Sequence, residues 1–173
     1  DIYKIGGDLA EKWAVSPDGL KYTFNLFKGI KWHDGQPFTS ADVVFSLDRM
    51  RNPPPGTVSP RADVLRNVVR AEAPDPLTVV ITLKQPRASF IPAIANGWMV
   101  IMPKHVIEKL GDMKQVINGS GPFRFVRYTS GVSIELTKNK DYFVKERPYL
   151  DSIMVYIIPD AGTAFAALRS GRV

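Results

Sequence analysis

From residue 20 to residue 27 apolar side chains occupy every second position, Leu20, Tyr22, Phe24 and Leu26 alternating with Lys21, Thr23 and Asn25. Successive side chains of a strand point to opposite faces, so this pattern predicts a half-buried strand. The preceding Ser16-Pro17-Asp18-Gly19 has the chemistry of a tight turn, proline presetting φ and glycine tolerating positive φ. It folds residues 13–15 back as a hairpin partner. Leu77, Val79, Ile81 and Leu83 repeat the alternation, and Pro74-Asp75-Pro76 joins them to residues 68–73 as a second hairpin. A third hairpin is predicted from residues 123–128 and 132–137 about Ser130-Gly131, with Phe123, Phe125 and Arg127 opposing Arg124, Val126 and Tyr128. Residues 153–158 are apolar throughout and rich in β-branched side chains, which predicts a central or well-covered strand.

Elsewhere the period lengthens to that of a helix. Val43, Val44, Leu47 and Met50 recur at three- and four-residue spacing behind Thr39, a capping residue, with Asp42 where a capping-box acid belongs. The run Asn52-Pro53-Pro54-Pro55-Gly56 ends that helix, because proline lacks the donor and clashes with the preceding turn. Residues 88–95 read as helical despite Pro92, and Asn96-Gly97-Trp98 breaks them. Residues 99–102 are a short apolar run, a buried strand or a crossing segment. Pro103 suits the first turn of a helix reaching Leu110 and ended by Gly111, and a last helix over residues 161–170 ends at Gly171. Strands and hairpins punctuated by short helices predict an α+β (mixed α/β) fold rather than a regular βαβ series.

The chain has 173 residues, enough for a substantial core, and a formal charge of +6. It contains no cysteine, which excludes a disulfide scaffold, Cys-ligated zinc and a thiol nucleophile. No uncharged apolar run approaches the ~18 residues of a membrane span, so none is expected. The chain opens in mid-pattern at Asp1-Ile2-Tyr3-Lys4, as in a cytoplasmic protein or one whose leader has been removed. The basic excess lies mostly after residue 86, where Arg124, Arg127, Lys138, Lys140, Lys145 and Arg147 are scattered among strand-like alternation. A solvated sheet face accounts for this; a nucleic-acid surface would want aromatic residues interleaved with the basic ones.

Catalytic chemistry finds little support. His33 and His105 lie in unlike contexts and neither has an H-x-H or H-x-x-x-H partner, so no metal or cofactor is expected and both read as ordinary turn or surface histidines. Gly119-Ser120-Gly121-Pro122 is no nucleophile elbow, since proline two residues after the serine disfavours the required helix. Trp13 and Trp32 flank predicted strands and read as core contacts. Trp98 follows Asn96-Gly97 at a break between elements, where an indole can project into a cleft.

Several segments together resemble one family. Residues 9–13 (LAEKW), 16–24 (SPDGLKYTF) and 31–46 (KWHDGQPFTSADVVFS), followed in order by 119–123 (GSGPF), 139–143 (NKDYF) and 165–171 (FAALRSG), are similar to the signature of family 5 extracellular solute-binding proteins. These are receptors of ABC importers for oligopeptides, dipeptides, nickel complexes and related solutes. The resemblance implies part of lobe I of a two-lobed periplasmic binding protein, with residues 1–95 as its β-rich accessory subdomain, residues 96–173 as a portion of the lobe's main domain, and the second lobe absent. It implies a periplasmic or extracellular receptor, membrane-anchored if at all through a segment outside these residues. Its partners are a peptide or small-molecule solute and an ABC transporter permease, and it is not an enzyme. On this reading Asn96, Gly97, Trp98 and Met99 are expected to line the solute cleft. Ser120 and Gly121 come next, because main-chain amides in a glycine-rich turn can hold an anion. The alternative is a free-standing basic module that binds nucleic acid or polysaccharide.

Overall fold

The computed structural model describes residues 5–173, and its elements fall into two antiparallel sheets. Strands β1 (Ala10–Val15), β2 (Lys21–Leu26), β3 (Val68–Asp75) and β4 (Thr78–Leu83) form the first sheet in the order β1-β2-β4-β3. Both predicted hairpins are present. Their union through β2 and β4, which pairs Phe24 with Val79 and Tyr22 with Ile81, is a long-range choice that no local pattern announced. Helix α1 (Ser40–Arg51) packs on this sheet. Its capping acid is in place, since Asp42 Oδ2 accepts the Thr39 main-chain N–H at 2.9 Å.

The predicted helix over residues 88–95 contracts to α3 (Phe90–Ile94), after the single turn α2 (Ala62–Leu65). Starting at Phe90 places Pro92 in the first turn, where its missing donor has no intrahelical partner to lose. Residues 99–102 form a crossing segment rather than a strand, pinned where Met102 N donates to Ser46 Oγ at 2.8 Å. Helix α4 (Lys104–Leu110) follows and ends at Gly111, whose φ of 83° suits glycine.

Strands β5 (Phe123–Thr129), β6 (Ser133–Lys138) and β7 (Ser152–Tyr156) form the second sheet, in chain order, before α5 (Ala161–Arg169). Two expectations change here. A register shift between Phe125 and Arg127 breaks the simple two-face alternation predicted for β5. And β7, predicted central or well covered, is among the described residues an edge strand paired with β6 alone, with Met154, Val155 and Tyr156 exposed. An apolar strand shows that cover is needed; it does not supply the covering layer. Phe165 and Leu168 of α5 are likewise 62% and 64% exposed.

The core is therefore lopsided. Tyr22, Leu26, Trp32, Phe38, Leu47, Leu65, Val79, Ile81, Leu83 and Phe90 form one buried cluster between the first sheet and its helices. Among the described residues Pro148 is the one apolar side chain beyond Ile107 that is buried. The aromatic pair Tyr142 and Phe143 joins the two halves, the Phe143 ring lying 5.4 Å from Phe27 and 4.9 Å from Tyr142 between centroids.

Candidate functional site

The tight turn after Trp32 organises the seam between the two sheets. Trp32 N donates to Gln36 O and Gly35 N to Trp32 O, both at 2.8 Å, and Gly35 takes φ 89°. These two bonds close the turn, which presents His33 and Asp34 outward. His33 N donates to Gly119 O at 2.7 Å, while its ring Nε2–H donates to Gly121 O at 3.0 Å. Gly121 O also accepts from Asn139 Nδ2 at 2.9 Å. A Cβ on Gly119 would lie 3.4 Å from the His33 ring, in ordinary van der Waals contact.

Asp34 completes the seam. Its Oδ2 accepts from His105 Nε2 at 2.6 Å and from Asn118 Nδ2 at 2.8 Å, and its Oδ1 accepts from Gln36 N at 3.1 Å. Burial pushes the Asp34 carboxyl upward, but the His105 hydrogen bond, the Gln36 amide, the His105 charge and the Asn118 amide together outweigh it and hold the group below its ordinary 3.8. Both histidines, read from sequence as unconnected, thus serve one fastener. Asn118 has no signal in the sequence, because its partner Asp34 lies 84 positions away and leaves no local spacing to detect, and Asn139 stands out there only as part of the 139–143 segment.

Beside this seam lies a cavity of about 580 Å³. Trp13, Phe24 and Val79 of the sheet, Val43 and Leu47 of α1, and Ile91 and Ile94 of α3 give it apolar walls, and Phe143 approaches from the second half. Of the residues singled out from sequence, Asn96, Gly97, Met99, Ser120 and Gly121 line it together. Trp98 does not. Its indole is 70% exposed with the Arg61 guanidinium 5.7 Å from the ring centroid, and its main-chain N–H donates to Asn96 Oδ1 at 3.0 Å. Trp32, expected as core, is buried at the cavity wall, and Trp13 is half-buried there.

Much of the basic excess is engaged locally. Arg124 donates to Asn139 Oδ1 and Asp141 Oδ2, Arg127 pairs with Glu135, and Lys138 lies 3.7 Å from Asp151. No helix among the described residues is long and apolar enough to cross a membrane.

Comparison with known proteins agrees with this architecture. The profile of bacterial extracellular solute-binding proteins, family 5 middle, matches residues 4–173. A Brucella ovis protein provisionally named as an ABC transporter peptide-binding protein is 38% identical over 180 residues, covering 99% of this chain and 33% of its own. Among solved structures, AgaA of A. tumefaciens R10 in complex with agropinic acid superposes with a TM-score of 0.88 at 36% identity, over 99% of this chain and 35% of that one. DppA of Helicobacter pylori in complex with the peptide STSA gives 0.85 at 31% identity, over 98% and 37%. The chain spans about a third of the length of the relatives it matches.

Proposed function

Because the chain belongs to the bacterial extracellular solute-binding proteins of family 5, we propose that it forms part of the first lobe of an ABC-importer receptor. The receptor captures a peptide-like or related small solute outside the cytoplasmic membrane and delivers it to a permease. The observation that carries this reading is the family match running from residue 4 to residue 173, on a chain whose fold superposes on AgaA at 0.88. The receptor acts by binding rather than catalysis, as its family does, through closure of two lobes around the solute.

Within that lobe residues 1–95 are the accessory subdomain and residues 96–173 a portion of the main domain, a division supported by the separation of the two sheets between β4 and β5. The solute-facing residues are Asn96, Gly97, Met99, Ser120 and Gly121 on the cavity lining, with Trp98 exposed beside them, outside the lining. Solute identity is set mainly outside these residues. The relatives solved with agropinic acid and with a tetrapeptide differ in cargo chemistry, yet this third of the fold superposes on both at 0.85 or better.

Isothermal titration of a peptide panel into the full-length receptor tests the proposal. Saturable binding to the receptor, with none to the 173-residue chain alone, is the expected result; a panel that leaves the receptor unbound counts against it. Trp98→Ala is expected to weaken solute affinity while leaving Tm unchanged, because the indole makes few contacts.

A further inference from the structure

Four successive residues of the cavity lining, Asn118, Gly119, Ser120 and Gly121, are partnered unequally. Three of them are tied to the turn after Trp32. Asn118 Nδ2 donates to Asp34 Oδ2 at 2.8 Å, Gly119 O accepts from His33 N at 2.7 Å, and Gly121 O accepts from the His33 ring at 3.0 Å. Ser120 stands between the tied residues, and among the described residues its N–H, carbonyl and hydroxyl have no hydrogen-bond partner. The peptide joining Gly119 to Ser120 is trans, so its N–H points opposite to its carbonyl. Because that carbonyl is given to His33, the Ser120 N–H is turned away from the turn. His33 and Asp34 do not themselves line the cavity.

We propose that His33 is a positioning residue for solute binding: it holds the main chain on both sides of Ser120, and so keeps the free polar groups of Ser120 in place for the solute. The inference rests on the receptor reading above and on Ser120 being solute-facing. Glycine loses more conformational freedom on ordering than any other residue, so a Gly-Ser-Gly segment keeps one conformation only when its flanks are pinned. The main-chain N–H of His33 pins one flank and its ring the other. A segment left unpinned would have to order when solute binds, and that cost is subtracted from affinity. Stability is less exposed to the loss of the ring. Gly121 O also accepts from Asn139 Nδ2 at 2.9 Å, so removing the ring leaves no carbonyl without a donor. Affinity and stability should therefore respond differently.

The test uses the full-length receptor and, as probe, the tightest binder in a panel of tri- to pentapeptides, titrated calorimetrically. His33→Leu has no ring donor and should raise Kd by about fivefold or more, with Tm lowered by no more than about 3 °C. His33→Gln, whose amide nitrogen can take the place of Nε2, should return Kd to within about twofold of the wild type. Leu65→Val, a change in the buried core outside the cavity lining, should lower Tm and leave Kd unchanged, which separates positioning from a general loss of stability. Unchanged Kd in His33→Leu overturns the proposal, as do equal losses in His33→Leu and His33→Gln, or a Kd that follows Tm in all three variants. Should His33→Leu not fold, His33→Asn, whose shorter amide falls short of Gly121 O, replaces it under the same criteria. A wild type that binds no peptide of the panel fails the receptor reading, and this inference with it; binding that His33→Leu leaves intact fails the inference alone.

Discussion

His105 Nε2 donates to Asp34 Oδ2 at 2.6 Å across 71 positions of sequence, joining the first turn of α4 to the tight turn after Trp32. Asp34 accepts from Asn118 and Gln36 as well, so it bears on three segments at once. Asp34→Ala is expected to cost about 1–2 kcal/mol, a modest figure because the pair is partly solvated. His105→Ala in the Asp34→Ala background should cost less than in the wild type. Additive effects in a denaturation double-mutant cycle would show that the contact contributes nothing of its own.

The same carboxyl gives stability a direction with pH. Its folded pKa is below the ordinary 3.8, so its contribution is fully present above that value and is lost as pH falls through the folded pKa. Thermal scans from pH 6 down to about pH 3 should show a steeper decline for the wild type than for Asp34→Asn, which cannot titrate there. Parallel curves would remove Asp34 from the account of acid sensitivity.

Ser46 is fully buried in α1, donating to Asp42 O at 2.7 Å and accepting from Met102 N at 2.8 Å. Ser46→Ala leaves the Met102 N–H without its acceptor, and a loss of about 1–3 kcal/mol is expected. Hydrogen exchange at Met102 is the direct readout, and should accelerate.

Asn139 is buried with both ends of its amide engaged, donating to Gly121 O and accepting from Arg124 Nε and the Asp141 N–H. Asn139→Leu keeps comparable bulk but leaves Arg124 Nε and the Asp141 N–H without this acceptor, and Gly121 O with only the His33 ring as donor. It should destabilise more than Lys140→Leu, an exposed neighbour, by about 2 kcal/mol or more in denaturant titrations.

Phe90 is completely buried, with its ring edge-on to Tyr22 at 4.9 Å. Phe90→Ala should cost about 3–5 kcal/mol, since the surrounding sheet and α2 cannot collapse fully into the space. Phe165→Ala, on the exposed face of α5, is the contrasting case; within residues 1–173 it should cost less than about 1 kcal/mol.

The amino-acid sequence alone determined the local elements. Alternation specified β2 and β4, the 3.6-residue period and the Thr39–Asp42 box specified α1, and Gly111 and the Pro53–Pro55 run specified where helices stop. Each depends on side chains within a few positions of one another, so the relevant physics is written in neighbouring letters. Ordered motifs, above all residues 31–46, also carried the family resemblance. Only the tertiary structure decided which sheet edges pair, that β7 lies at an edge, that His33, Asp34, His105, Asn118 and Asn139 form one fastener, and that Trp98 stands outside the cavity its neighbours line. Those outcomes depend on hydrogen bonds and packing between groups tens of positions apart. A polar side chain shows in sequence that it needs a partner, and only the folded chain shows which one it has.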